Sequence, residues 1–236
     1  MDTSDKKINS VLHAKNFKTI LSSAILLLAG LAGFDAKANS PRPPQFVLLA
    51  FDGSNSIPFW QESLAFAQQS EANGFPLKFT YFISGVYFLG YDTYQTYDAP
   101  GLGRGKSSIG FSGFRTDSVN QQREEILSRT DQVNDAFTSG QEIASHANGH
   151  FDANRPSFRG TTASAWKLAD WDYEFRQFND LIFNVFSINK LDRSTKYPRG
   201  WTFNSQNITG FRAPLLGVNE GLWPALVKNG FKYDTS

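Results

Sequence analysis

Apolar runs and helical stripes alternate from residue 45 to the end of the chain. Gln45 to Phe51 (QFVLLAF) is a continuous apolar run that stops at Asp52-Gly53-Ser54, the pattern of a buried parallel strand. Pro58 suits the first turn of a helix reaching about Asn73-Gly74, with Trp60, Leu64 and Ala67 on its apolar side and Phe59 and Phe66 widening that face. Leu77 to Ile83 (LKFTYFI) reads as a second strand. Ser84 to Asp117 has no period and holds seven glycines and four tyrosines. Irregular stretches of that length are usually functional or mobile.

Ser118 to Thr138 carries Val119, Ile126, Val133 and Phe137 at helical spacing, and Gly140 closes it. A short run, Glu142-Ile143-Ala144, is the third strand. Ser164 to about Asn189 is predicted helical, with an aromatic stripe of Trp166, Trp171, Phe175, Phe178, Ile182 and Phe186 that reads as core. Leu191 to Gln206 is a polar excursion. Ile208 to Phe211 is the fourth strand, Asn219 to Asn229 a short helix, and Phe231 to Asp234 a fifth strand. Strand alternating with helix predicts an α/β fold with a parallel sheet, closed or open. A closed barrel needs more than five strands, and the last strand has no helix after it. The expectation is a domain over residues 45–236 whose C-terminal strands are missing from this chain.

The amino-terminal segment changes the picture. Lys6, Lys7, Lys15 and Lys18 precede an uncharged stretch from Thr19 to Phe34, and Ala36-Lys37-Ala38 is an A-x-A cleavage pattern. Residues 1–38 read as a secretory signal peptide. The uncharged core is short of the about 20 residues of a membrane span, so a membrane is a partner only through this segment if it stays uncleaved. Residues 39–44, with Pro41 to Pro44, read as a linker. The folded part is expected outside the cytoplasm: secreted, periplasmic or in the cell envelope.

Residues 39–236 carry 18 basic and 19 acidic side chains, so nucleic acid is not an expected partner. There is no cysteine, which excludes disulfides, thiolate ligands and a cysteine nucleophile. Gly101 to Ser107 (GLGRGKS) invites a phosphate-loop reading, but Pro100 stands where the first glycine is required and no strand precedes it. No nucleotide is expected.

The chemistry gathers at strand ends. Two of the three histidines lie in Ser145-His146-Ala147-Asn148-Gly149-His150, and the third, His13, falls in the segment expected to be removed. Histidines at i and i+4 can project the same way and grip one cation, as from one helical turn; here the pair follows the apolar run Glu142-Ile143-Ala144 and reads as the loop at the carboxyl end of a strand. The plain alternative is two polar loop histidines. Asp52, the His146/His150 pair, Arg212 and Asp234 all follow apolar strand runs. An aspartate with two histidines makes a facial ligand set with open positions for water and substrate, as in hydrolytic metal sites. A nearby carboxylate would take the proton of the attacking water, and an arginine would hold that carboxylate in place.

Phe51-Asp52, Ser145 to His150 and Phe211-Arg212-Ala213-Pro214 resemble, in order and spacing, the first three motifs of the polysaccharide deacetylases, the NodB-homology or carbohydrate esterase family 4 group. Tyr233 to Ser236 is similar to the next strand end. The nearest branch by pattern is the chitin-deacetylase-like secreted proteins with a long aromatic loop after the second strand. The resemblance implies a deformed (β/α) barrel of the NodB type and a divalent metal, usually zinc. It implies a polysaccharide substrate, with removal of acetyl groups from N-acetylglucosamine polymers such as chitin or peptidoglycan. Carried over, His146 and His150 are metal ligands, Asp52 the base, Arg212 its tether and Asp234 a support. The backbone N–H of Leu215 takes the oxyanion role.

Two departures accompany the resemblance. The family has two consecutive aspartates, a base and then a ligand, whereas here Gly53 follows Asp52; Asp52 would have to serve as base or swing onto the metal. The family's later histidine acid has no counterpart after His150. Three readings therefore stand: an active deacetylase, a carbohydrate-binding protein without catalysis, in which Tyr87, Tyr91, Tyr94 and Tyr97 would be sugar platforms, and hydrolysis of a small cyclic amide or other C–N bond.

Overall fold

One parallel sheet orders the molecule. Its strands are β1 (Leu49–Gly53), β2 (Phe79–Ile83), β5 (Glu142–Ser145), β8 (Gly210–Phe211) and β9 (Tyr233–Asp234), hydrogen-bonded in the order β1-β2-β5-β8-β9. Each new strand adds beside the one before it, always parallel. A doubly wound sheet reverses direction at a switch point; this one does not, which is the winding of a (β/α) barrel. Across the described residues the sheet stays open. The structure, a computed structural model, describes residues 46–193 and 195–236. The expected signal segment, cleavage site and linker, with Gln45, lie outside the described residues. No described helix is long and apolar enough to cross a membrane.

Local sequence explains the helices. Helix α1 (Ile57–Ala72) starts where Ser56 Oγ accepts from Phe59 N–H, with Pro58 in its first turn, and buries Trp60, Leu64 and Ala67. Helix α2 (Val119–Thr138) opens with a reciprocal Ser118–Gln121 capping box. Helix α3 (Leu168–Phe183) buries Trp171, Phe175, Phe178, Leu181 and Ile182, and α4 (Val185–Ile188) continues it after Asn184. Helix α5 (Leu222–Lys228) leads into β9. Phe175 packs edge-on against Phe211 at 5.0 Å, and Trp171 against Phe211 at 5.8 Å, so the aromatic stripe of α3 anchors β8.

Several expectations need correction. The first strand begins at Leu49 rather than Gln45, and it is not buried: Leu48 is 91% and Phe51 41% exposed. Among the described residues β1 is a sheet edge, paired on one side only. The third predicted helix starts at Leu168 rather than Ser164, where Lys167 N–H donates to Asp170 Oδ2 at 2.8 Å, and a small hairpin, β6 (Ser157–Phe158) with β7 (Thr161–Thr162), precedes it.

The long stretch after β2 is built rather than irregular. It contains 3₁₀ turns at Gly85–Phe88 and Tyr94–Thr96 and a hairpin of β3 (Asp98–Ala99) with β4 (Gly103–Arg104). Val86, Phe88, Leu89 and Tyr97 are fully buried. Buried loop backbone must find partners, and side chains of α2 and of Asn189, just after α4, supply them. Asn189 Nδ2 donates to Phe88 O at 2.8 Å, Tyr91 N–H donates to Gln122 Oε1 at 2.6 Å, and Arg129 Nη1 donates to Tyr87 O at 2.6 Å.

Candidate active site

Strand pairing places the second and third motifs side by side. Ser145 of β5 is in register with Phe211 of β8. The following residues, His146 and Arg212, therefore emerge together at the carboxyl end of the sheet, with Arg212 N–H donating to Ser145 O at 3.1 Å and His146 N–H to Ile83 O at 2.8 Å. His146 is 2% exposed. Its Nδ1 lies 2.8 Å from Arg212 O. A carbonyl only accepts, so Nδ1 carries the proton and the lone pair of the neutral ring sits on Nε2. Burial lowers the pKa of His146, against the opposing pull of the Arg212 carbonyl and Asp52.

The two imidazoles do meet, with ring centroids 5.1 Å apart. They do so through the loop expected at the carboxyl end of the third strand, in which Ala147 (φ 54°) and His150 (φ 56°) are left-handed. The buried Asn148 between them holds that loop. Its N–H donates to Glu174 Oε1 at 2.8 Å and its Nδ2 to the Glu174 carbonyl at 2.9 Å. Tyr97 Oη donates to Glu174 Oε2 at 3.0 Å from beneath. Burial pushes Glu174 up to about 7. From the outer side, Ser107 and Ser108 hydroxyls donate to Gly149 O at 3.3 and 3.0 Å, and Ser108 also reaches the His150 carbonyl.

Asp52 faces this pair from β1. Arg212 Nη1 donates to Asp52 Oδ1 at 2.8 Å, while Arg212 Nε donates to Thr235 Oγ1 at 2.9 Å. The guanidinium carbon lies 4.5 Å from the Phe82 ring centroid. Asp52, His146, His150, Arg212, Leu215 and Thr235 all line one cleft of about 510 Å³. Asp52 also borders a second cavity of about 290 Å³ lined by Phe51, Phe59, Trp60, Tyr81 and Tyr87.

The other sequence candidates fall as follows. Leu215 is left-handed (φ 54°), as is Leu216 after it. The Leu215 N–H has no protein acceptor among the described residues. Non-glycine residues at positive φ are uncommon, and Ser54, His150, Leu215 and Leu216 line the two cavities that Asp52 borders. Asp234 does not touch Arg212: its Oδ1 accepts from Ser236 Oγ at 2.7 Å, and the hydroxyl of Thr235 takes the supporting position. Asp52 is not drawn into a three-ligand group. Among the described residues no three of His, Asp and Glu converge at metal-binding spacing, because the Asp52 carboxylate is held by Arg212.

The tyrosines are largely packing. Tyr97 is fully buried. Tyr91 stacks edge-on against Phe111 at 5.5 Å, with the Arg115 guanidinium 5.0 Å from its centroid. Tyr87 is 9% exposed and presents only part of its ring to the cavity beside Asp52.

Glu174, Asn148 and Thr235 are supports that the sequence reading did not pick out. Glu174 left one trace: it stands three residues after Trp171 and four before Phe178, a charge on an apolar helical face. The His146 imidazole, with its Nδ1 fixed on a backbone carbonyl, and the neighbouring His150 ring are donors that suit a divalent ion of the zinc type. Positions beyond the two histidines would fall to water and substrate.

No family model matches the chain, and no curated protein does. Among solved structures it is similar to a family 4 carbohydrate esterase from Streptomyces lividans in complex with acetate, at 15% identity over 81% of this chain and 62% of that one, TM-score 0.43. It is also similar to the chitin deacetylase from the fungal pathogen Colletotrichum lindemuthianum, at 16% identity over 80% and 54%, TM-score 0.43. A CE4 family pseudoenzyme from Bacillus anthracis matches at 10% identity over 83% and 44%, TM-score 0.45. The chain spans 44% to 62% of the length of these three structures.

Proposed function

We propose that the cleft is a hydrolytic centre that removes N-acetyl groups from an N-acetylglucosamine-containing polysaccharide, such as chitin or peptidoglycan, outside the cytoplasm. The observation that carries this reading is the Arg212–Asp52 pair, 2.8 Å long, in the same cleft as the converging His146 and His150 rings. His146 and His150 would hold a divalent ion, zinc by the nature of the donors. When bound, such an ion polarises a carbonyl and makes a water more acidic.

The chain's own residues do the rest. Asp52 has one oxygen tied to Arg212 and a side chain 46% exposed, so it can accept the proton of a water attacking the acetamide carbon. The free N–H of Leu215 donates to the oxygen on which negative charge develops. The C–N bond then breaks, and protonated Asp52, the carboxyl that lines the cleft, returns its proton to the leaving amine. The aromatic cavity on the far side of Asp52 gives the sugar chain an apolar surface. Export rests on the signal-like residues 1–38.

A second reading is a carbohydrate-binding protein without catalysis, favoured by Gly53 after Asp52 and by the two-donor ligand set. Asp52→Asn separates them. A hydrolase loses about 10²–10⁴-fold in acetate release with oligosaccharide affinity retained. A wild type that binds the oligosaccharide but releases no acetate supports the second reading.

A further inference from the structure

A cationic feature on the two hairpins has no role in the hydrolysis described above. The hairpins β3–β4 and β6–β7 meet there: Trp166 Nε1, just after β7, donates to Pro100 O, just after β3, at 3.3 Å. A cavity of about 230 Å³ lies between them, lined by Leu102, Lys106, Phe158, Arg159 and Thr161. Lys106 Nζ stands 5.4 Å and the Arg159 guanidinium carbon 5.2 Å from the centroid of Phe158. The aromatic face orders both charged heads without neutralising them. Among the described residues neither cation pairs with a carboxylate.

Between Asp98 and Asp117, and between Asp152 and Asp170, the segments that line this cavity are basic. Residues 99–116 and 153–169 hold Arg104, Lys106, Arg115, Arg155, Arg159 and Lys167 and no Asp or Glu, in a chain of formal net charge +1. Arg159 also sits at a costly place. With φ 47°, followed by Gly160 at φ 84°, it occupies a hairpin turn position that Asn, Asp or Gly normally fills.

The chain links this cavity to the histidine loop. Lys106 lies two residues before Ser108, whose hydroxyl bonds the His150 carbonyl, and two residues span at most about 7 Å. We infer that this cavity is an anion subsite for a carboxylate on the sugar next to the acetamido sugar held in the cleft. The inference rests on the polysaccharide reading above and narrows it to acidic glycans. The carboxylate could belong to a uronic acid ring or to a lactyl ether substituent; both present the same group to Lys106 and Arg159.

The test is calorimetric titration of the full chain with three tetrasaccharides: neutral N-acetylchitotetraose, an N-acetylglucosamine–N-acetylmuramic acid tetramer, and an N-acetylglucosamine–glucuronic acid tetramer. At least one acidic tetramer is expected to bind about tenfold tighter than the neutral one at low ionic strength, with the advantage fading as salt rises. Which acid gains identifies the source of the carboxylate. The double variant Lys106→Gln/Arg159→Gln is expected to erase the advantage and leave the neutral affinity unchanged. Equal wild-type affinity for all three, or a preference that survives the double variant, overturns the subsite and leaves the polysaccharide reading standing. If none of the three binds, the polysaccharide reading fails and the subsite with it.

Discussion

Arg212 donates to Asp52 at 2.8 Å although 160 positions separate them in the chain. Two strands, β2 and β5, lie between theirs in the sheet. The arginine closes that gap by reaching over Phe82 of β2 while its Nε is held by Thr235 after β9. One side chain thus ties three strand ends to a single carboxylate.

Replacing Arg212 tests that tie. Arg212→Met is expected to lower kcat/KM for acetate release by about 10²–10³-fold, because the base loses its fixed orientation. Stability should change by no more than about 1 kcal/mol from loss of the ion pair, since the Asp52 side chain is 46% exposed. Arg212→Lys restores the charge but not the two-armed grip on Asp52 and Thr235, so it should recover only part of the rate. Steady-state kinetics with thermal melts of both variants decide this.

Gly85 guards the histidine loop from below. A Cβ there would stand 2.1 Å from Asn148 Oδ1. Gly85→Ala should therefore displace Asn148 and the loop that carries His146 and His150, costing about 1–3 kcal/mol in stability. Zinc affinity measured by competition with a chromogenic chelator should fall alongside it. Unchanged affinity would mean that Asn148 does not set the spacing of the two rings.

Glu174 makes stability depend on pH in a stated direction. Burial raises its pKa to about 7 in the folded chain from 4.5. Between those values the folded state holds a proton that the unfolded state has lost, so stability is greatest below about pH 4.5 and declines as pH rises towards about 7. The loss is on the order of 3 kcal/mol. Glu174→Gln keeps an acceptor for the Asn148 N–H and should flatten this part of the curve. Urea unfolding at a series of pH values, wild type against variant, measures it.

Arg129 joins the loop after β1 to the long loop after β2. It is fully buried and donates to Asn55 O at 2.9 Å, Tyr87 O at 2.6 Å and the Ser112 hydroxyl at 2.5 Å. Arg129→Met strands these acceptors and should cost about 2–4 kcal/mol in denaturant unfolding. A loss under about 0.5 kcal/mol would show that the loops hold without it.

Much of this was legible in the sequence because the strand-end residues are local signals. Asp52, His146, His150 and Arg212 each follow a short apolar run, and they do line one cleft. Their supports were not legible in the same way. Thr235 replaces Asp234 as the partner of Arg212 because the side chain that reaches the guanidinium is set by how β9 ends, which a two-residue strand does not reveal. The histidine pair was legible as a strand-end loop, but spacing alone does not give the left-handed turns at Ala147 and His150 that bring the two rings together. The stretch after β2 looked irregular because its order comes from Asn189, Gln122 and Arg129, which lie far along the chain. The exposure of β1 was hidden by its composition: an apolar run reads as buried wherever it stands in the sheet.

The most direct test of the central claim is acetate release from N-acetylchitopentaose before chelation, after chelation, and after zinc is returned, with His146→Ala run in parallel. The metal-dependent centre predicts release that chelation abolishes and zinc restores in the wild type, and no restoration in His146→Ala. Release that persists in chelator, or that His146→Ala retains, would contradict it.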